Sequence, residues 1–327
     1  MYLSQSSKKT PVLFLVFNRP ELTSKVFEKI RQAKPLRLYI ASDGPREGNK
    51  EDKEKVEKVR KIVNNIDWSC ELKTLFRDKN LGCKEGVSSA ITWFFEQEEQ
   101  GIILEDDCVP HLDFFSFCEN LLDRYFLDER VSIVTGNNFQ NSKWRGDASY
   151  YFSKYNHCWG WASWRRSWKH YQGDINFWPK WKSSDAWKKY KFNKIERKYW
   201  ENIFDRCYAG QIDSWAYPWT ASIWYKNSLT ATPNVNLVTN IGFEEGATHT
   251  KEPNKFSCMT NMELSHISHP KQVIIDIEAD KFAFYNFFGG KYLRFPYNWF
   301  IFLYHIFTCI FGKMIAKKLY KKVKAYF

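Results

Sequence analysis

Apolar and polar positions alternate in two rhythms along the N-terminal part of this chain. Pro11 to Phe17 is continuously apolar and stops at Asn18-Arg19-Pro20, the pattern of a strand buried on both faces that ends in a turn. Glu21 to Ala33 follows, with Leu22, Val26, Phe27 and Ile30 at helical spacing. Leu36 to Ala41 predicts a second strand, ending at Ser42-Asp43-Gly44-Pro45, and Asn49 to Asn65 a charged helix with Val56, Val59, Ile62 and Val63 on one face. A third strand is predicted over Glu71 to Phe76, a turn at Asn80-Leu81-Gly82 and a helix over Val87 to Glu96. Gly101 to Leu104 predicts a fourth strand, ending at Glu105-Asp106-Asp107, with a helix over Leu112 to Tyr125 beyond it. Strands alternating with helices predict a parallel α/β sheet. Such sheets present ligand-binding residues just past the C-terminal ends of their strands. Asn18-Arg19, Asp43 and Glu105-Asp106-Asp107 all stand at such ends, which predicts one shared cleft.

The second half is less regular. Ser132 to Gly136 reads as another strand, and residues 144 to 224 are crowded with Trp and Tyr, including Trp159-Gly160-Trp161 and Asp213-Ser214-Trp215. Neither a repeat nor a linker divides the chain, so one continuous fold is expected. The end differs: Phe295 to Gly312 carries no charged residue, with His305 taken as neutral. Pro296 and Asn298 shorten its usable helix to about fifteen residues, below the roughly 20 that span a bilayer. With the lysines that follow, residues 295–324 predict a helix lying in the plane of an anionic leaflet. The competing reading is an amphipathic helix docked on the chain's own core.

Composition narrows the class. The 327 residues are 44% hydrophobic and 26% charged, which suits a globular chain with a sizeable core. Aromatic residues make up 18%, with 15 Trp. Core burial is the first expectation for any one of them, and stacking on a pyranose face is the second. Of the +12 net charge, six positive charges sit at Lys313, Lys317, Lys318, Lys321, Lys322 and Lys324. No nucleic-acid-binding signature accompanies the remainder, so no nucleic-acid partner is expected. None of the eight cysteines forms a C-x-x-C pair, so zinc-site spacing is missing. Met1 to Thr10 has no apolar signal-peptide core, and free thiols in a reducing, cytoplasmic setting are expected.

Chemistry concentrates at Glu105-Asp106-Asp107. Carboxylates at the end of a buried strand repel one another where water is scarce. A divalent cation resolves the conflict and keeps positions open for a diphosphate. The competing reading is an acidic N-terminus for the helix that follows, favoured by its dipole. Gly-x-Gly-x-x-Gly, the phosphate-binding Gly-x-x-x-x-Gly-Lys-Ser/Thr and the Gly-x-Ser-x-Gly elbow do not occur, which argues against a dehydrogenase, a P-loop NTPase and an α/β-hydrolase.

Taken in order, the apolar strand before Asn18-Arg19-Pro20, the strand ending at Asp43-Gly44 and the strand ending at Glu105-Asp106-Asp107 resemble the GT-A glycosyltransferases. The likeness is to the branch of the alpha-mannoside beta-1,2-N-acetylglucosaminyltransferases and their bacterial sugar-transferase relatives, over residues 10 to 250. It implies an α/β, GT-A-like fold with a mainly parallel sheet flanked by helices. The domain would run over 1–281, with a nucleotide-binding half at 10–110 and an acceptor half at 130–250, before a membrane-associating tail at 282–327. It implies that Asp107 binds Mn2+ or Mg2+, that Glu105 and Asp106 touch the donor sugar and ribose, and that Asp43 bonds the nucleobase. Asn18 belongs to the same donor site, and Arg19 would approach the diphosphate or base. Arg77 and Lys84 are further donor candidates, with ordinary solvated charge as the competing reading. One Trp of Trp159-Gly160-Trp161 would stack on a sugar while Gly160 allows close backbone approach; two core tryptophans are the alternative.

An Asp in a later aromatic segment acts as base in that branch, and Asp213 is the match. Partial burial beside Trp215 and Trp219 would raise its pKa toward that of a working base. Its competing role is an N-cap. Glu244 and Glu245 stand in reserve, His249 is a further candidate metal or phosphate ligand, and Gly242 to Gly246 form a loop able to close over the donor. The expected reaction is transfer of an N-acetylhexosamine or hexose from a UDP-sugar to a glycan hydroxyl. Inversion is expected, in surface-polysaccharide or glycoconjugate assembly. The tail suggests a lipid-linked acceptor and peripheral attachment to the inner face of a membrane. Two rivals stand beside this reading. A sugar nucleotidyltransferase would want a glycine-rich Arg/Lys signature near the first strand, and a non-catalytic, membrane-bound glycan-binding module would not need the acidic triplet.

Overall fold

The computed structural model describes residues 9–190, 192–242, 264, 266–296 and 299. Its N-terminal half follows the alternation of the sequence. In order come β1 (Val12–Val16), α1 (Pro20–Ala33), β2 (Arg37–Ser42), α2 (Lys50–Asn64), β3 (Glu71–Phe76), α3 (Gly82–Gln97) and β4 (Gln100–Glu105). Next are β5 (Cys108–Pro110), α4 (Leu112–Arg124), β6 (Val131–Thr135), β7 (Tyr150–Ser153) and β8 (Trp161–Trp164). The helices α5 (Arg165–Trp168), α6 (Trp178–Ser183), α7 (Asp185–Lys189), α8 (Lys194–Tyr208) and α9 (Ala216–Tyr225) precede β9 (Leu229–Pro233), β10 (Val238–Asn240) and α10 (Ile277–Asn286). Local chemistry explains the helix starts. Pro20 stands in the first turn of α1, where its missing N–H is no loss. Asn49 caps α2 by accepting the N–H of Asp52 at 3.0 Å. The helix expected from Val87 begins five residues earlier, at Gly82, whose φ of +78° is a left-handed conformation that favours glycine.

Eight strands form one sheet in the order β3-β2-β1-β4-β8-β6-β9-β7. The first four are mutually parallel, β8 runs antiparallel to both β4 and β6, β6 pairs in parallel with β9, and β7 closes the edge antiparallel to β9. Strand side chains alternate between faces, and β1 shows where each face goes. Val12, Phe14 and Val16 pack with α1, α2 and α4, while Leu13 and Leu15 join an aromatic core with Ile91, Phe94 and Trp161. Trp168, Trp178, Trp181, Trp187, Trp200, Trp215, Trp219 and Trp224 all fall in that second core, so most of the tryptophan surplus is structural.

A short ribbon sits beside the sheet: β5 pairs antiparallel with β10, Cys108 opposite Asn240. It brings Gly242 against Asp107. Helix α10 runs on through residues 281 and 282. Phe284 is fully buried and Phe287 stacks on Phe139 with ring centroids 3.9 Å apart. The chain from 277 to 288 is therefore part of the fold. It is also held by charge: Lys154 Nζ lies 2.8 Å from Glu196 Oε1, both side chains nearly inaccessible, and Asp280 accepts from Ser153 Oγ and from the Lys154 N–H.

Among the described residues no helix is long and apolar enough to cross a membrane. Most of the segment 295–324, expected to lie on a membrane, falls outside the described residues. The six described cysteines are free thiols.

Candidate active site

The C-terminal ends of β1 and β4 lie side by side, Leu15 opposite Glu105. That pairing delivers Arg19, just past β1, to the acidic triplet just past β4. Arg19 grips Asp106 through Nη2 and through Nε at 3.3 Å, and its Nη1 donates to Asp107 Oδ2 at 3.0 Å. The cation demanded by the carboxylates is thus supplied by the chain itself in this structure. Burial raises the pKa of Glu105 and of Asp106. For Glu105 the neighbouring Asp107 and Asp106 add to the rise and Arg19 opposes it. For Asp106 the Arg19 guanidinium is the main opposing influence. Arg19 is held firmly protonated: its three carboxylate neighbours outweigh the burial that opposes its charge.

Asp107 is fixed from three directions. Its carbonyl accepts the Ile241 N–H at 2.8 Å, its Oδ1 accepts the Cys108 thiol at 3.3 Å and its Oδ2 meets Arg19. A Cβ at Gly242 would stand 2.2 Å from that Oδ2, so only glycine lets β10 approach so closely.

Arg19, Glu105 and Asp107 help to line a cavity of about 370 Å3, within the roughly 300–1,000 Å3 of small-ligand sites. Its remaining wall is largely aromatic: Phe139, Trp159, Trp200, Trp215, Tyr217, Phe287 and Phe288, with Asn156, His157, Cys158 and Cys83 between them. Burial drives the His157 pKa down to about 3, so the ring is neutral. The Cys83 thiol is pushed up to about 12, first by burial and then by Glu105 and Asp213. No sequence motif marked Phe139, Asn156, His157, Phe287 or Phe288 as site residues. Their only shared signal was aromatic density, which also describes the core.

The structure sorts the expected residues. Glu105, Asp107, Arg19 and Trp159 share the cavity, but Asp106 does not line it: it is 2% exposed and engaged by Arg19. Trp161 is 1% exposed and stacks on Trp215 at 5.7 Å, so it is a core ring and not a sugar platform. Gly160 has φ +73° and faces Val238 and Leu104, so its glycine is required by packing. Asn18 donates to Asp52 at 2.7 Å and thereby ties the end of β1 to α2.

Asp43 does not line the cavity. It accepts the N–H groups of Gly44 and Leu81, and burial raises its pKa. Arg77 braces α3 through the Gly86 carbonyl and Ser89 Oγ, and Lys84 pairs with Asp174 at 2.7 Å. The cavity therefore leaves out Asp43 and Arg77, which are engaged with the backbone and side chains at and before the first turns of α3. Asp213 is exposed at the rim, not partly buried. It caps a helix, but not the one that follows it: its Oδ1 accepts the Lys84 N–H at 2.9 Å, in the first turn of α3. Glu244, Glu245 and His249 lie outside the described residues.

The donor set suits a hard divalent ion only in part. Among the described residues no three His, Cys, Asp or Glu side chains converge as a metal cage. The two carboxylates at the cavity, Glu105 and Asp107, suit Mg2+ or Mn2+, which keep waters and take further ligands from substrate phosphates.

No family model matches this chain, and no curated protein matches it significantly. Similar solved structures include HddC from Yersinia pseudotuberculosis, 10% identical over 52% of this chain and 86% of that one, with a TM-score of 0.33. The inositol-1-phosphate CTP transferase from T. maritima is 10% identical over 72% of this chain and 91% of its own, with a TM-score of 0.38. The glycosyltransferase GlyE of Streptococcus pneumoniae TIGR4 is 10% identical over 69% of this chain and 45% of its own, with a TM-score of 0.32.

Proposed function

We propose that this chain is a glycosyltransferase that moves a hexose or N-acetylhexosamine from a UDP-sugar to a glycan hydroxyl. One observation carries the reading: two carboxylates and a guanidinium that bonds one of them share a single cavity with a largely aromatic wall. The charged groups suit a nucleotide diphosphate, and aromatic lining residues such as Trp159 suit a sugar ring.

In this reading Asp107, with Glu105 beside it, would hold Mg2+ or Mn2+, which would supply positive charge to offset that of the departing nucleotide diphosphate. Arg19, anchored on Asp106 through Nε and Nη2, offers the diphosphate the charged N–H donor at Nη1. Trp159 holds the sugar, and the water-poor wall strengthens each charged contact. The acceptor enters past the rim, where Asp213 takes its hydroxyl proton. The acceptor oxygen then bonds to the anomeric carbon as the bond to the diphosphate oxygen breaks, which inverts that carbon. A lipid-linked acceptor at the inner membrane face, in surface-polysaccharide assembly, completes the proposal and rests on the sequence of 295–324.

The test is calorimetric titration of UDP with and without Mn2+, for wild type and Asp107→Ala. Mn2+-dependent binding that vanishes in the variant supports the donor site and leads to a screen of UDP-sugars for hydrolysis. If UDP, GDP, CDP and dTDP all fail to bind under either condition, the reading is wrong.

A further inference from the structure

Resting on that donor-site reading, we infer that Arg19 is a built-in counter-ion that makes metal binding at Asp107 conditional on the nucleotide diphosphate.

Both oxygens of Asp107 are engaged: Oδ1 by the Cys108 thiol and Oδ2 by Arg19 Nη1. Gly242 closes Oδ2 from the side of β10, since even a Cβ there would stand 2.2 Å away. A metal ion reaching Oδ2 must therefore take the place of the Arg19 nitrogen. The two holds of Arg19 are unequal. Nε and Nη2 grip Asp106, which is 2% exposed, while Nη1 alone touches Asp107. The guanidinium can give up Asp107 and still keep Asp106.

What differs with and without nucleotide is the acceptor offered to Nη1. A diphosphate exchanges one charge-assisted hydrogen bond for another. It also screens the guanidinium from the incoming metal. Without it, a divalent ion must strip Nη1 from its carboxylate, return nothing and sit beside a fixed positive charge. Metal and diphosphate then bind with positive coupling, and linkage makes the coupling reciprocal. Arg19 sets part of its size. As a positioning residue it keeps Asp107 occupied until the donor arrives.

The experiment measures Mn2+ binding by the electron paramagnetic resonance of free Mn2+, with and without saturating UDP, in wild type, Arg19→Gln and Arg19→Lys. In Arg19→Gln, Mn2+ alone should bind about tenfold more tightly, the equivalent of one charge-assisted hydrogen bond no longer opposed. The gain that UDP confers on Mn2+ should shrink with it. Arg19→Lys keeps the charge but loses the fork, so Mn2+ alone should bind between the other two. It also decides the matter if Arg19→Gln fails to fold by thermal melting. Mn2+ binding no tighter than wild type in the folded variants, while UDP with Mn2+ still binds, overturns the counter-ion role and leaves the donor site standing. Wild type that binds no UDP at any Mn2+ concentration overturns both.

Discussion

The carboxylate of Asp213 accepts the backbone N–H of Lys84 at 2.9 Å across 129 residues of sequence. The contact ties the aromatic half of the chain to the first turn of α3, at the rim of the cavity. A cap and a general base make different demands on this one side chain. The cap needs an acceptor oxygen, whereas the base needs a proton-accepting charge. Asp213→Asn keeps the first and loses the second. Its melting temperature should match wild type, while UDP-sugar turnover falls by about 10²–10⁴-fold. Asp213→Ala should lose turnover and also about 1 kcal/mol of stability. Full activity in Asp213→Asn would leave Asp213 as a cap alone.

Gly242→Ala should act on Asp107. The added methyl meets Oδ2 at 2.2 Å, and either the ribbon of β5 and β10 or the carboxylate must shift. Overpacking of this kind costs about 1–3 kcal/mol. We expect Mn2+-dependent UDP binding to weaken by at least tenfold in calorimetry while the protein still melts cooperatively. Unchanged binding would mean that Asp107 is not the ligand for the metal.

Asp280 predicts a pH dependence. Burial raises its pKa from 3.8 to about 7, opposed by Lys154 and Ser153 and reinforced by Glu196. A carboxyl with a raised folded pKa holds its proton more tightly in the native state. Its stabilising effect is therefore complete below the unfolded value and is lost as pH rises through the folded one. Between about pH 4 and pH 7 the stability of wild type should fall relative to Asp280→Asn, which keeps an acceptor for Ser153 but does not titrate. Urea midpoints at several pH values measure this, and parallel curves for the two proteins would refute it.

Phe284→Ala tests whether α10 belongs to the domain. The ring is fully buried against Tyr199 and Tyr285. Truncation should cost about 3–5 kcal/mol and lower the melting temperature by roughly 2–4 °C per kcal/mol in a chain of this size. A shift below a degree would put α10 outside the folded domain and support a boundary near 281.

The sequence by itself determined the N-terminal architecture. Unbroken apolar runs such as Val12–Val16 can be satisfied only by burial on both faces. The 3.6-residue spacing in α1 and α2 fixes which side of each helix meets the sheet. It also placed Glu105-Asp106-Asp107 at a strand end, because strand length and the switch to charge are local facts. Tertiary structure alone decided what those residues meet. Arg19 reaches Asp106 and Asp107 across 87 and 88 residues because β1 and β4 are neighbours in the sheet. Trp159 and Trp161 stand two positions apart, yet one lines the cavity and the other is stacked in the core. Composition treats both rings alike. The difference lies in which side of the chain α9 covers, and the residues just past α10 add Phe287 and Phe288 to the cavity wall from a stretch that reads as tail. Periodicity is set within a few residues by backbone hydrogen bonding and burial. Charge pairing and ring exposure are set by elements that meet only after the chain has folded.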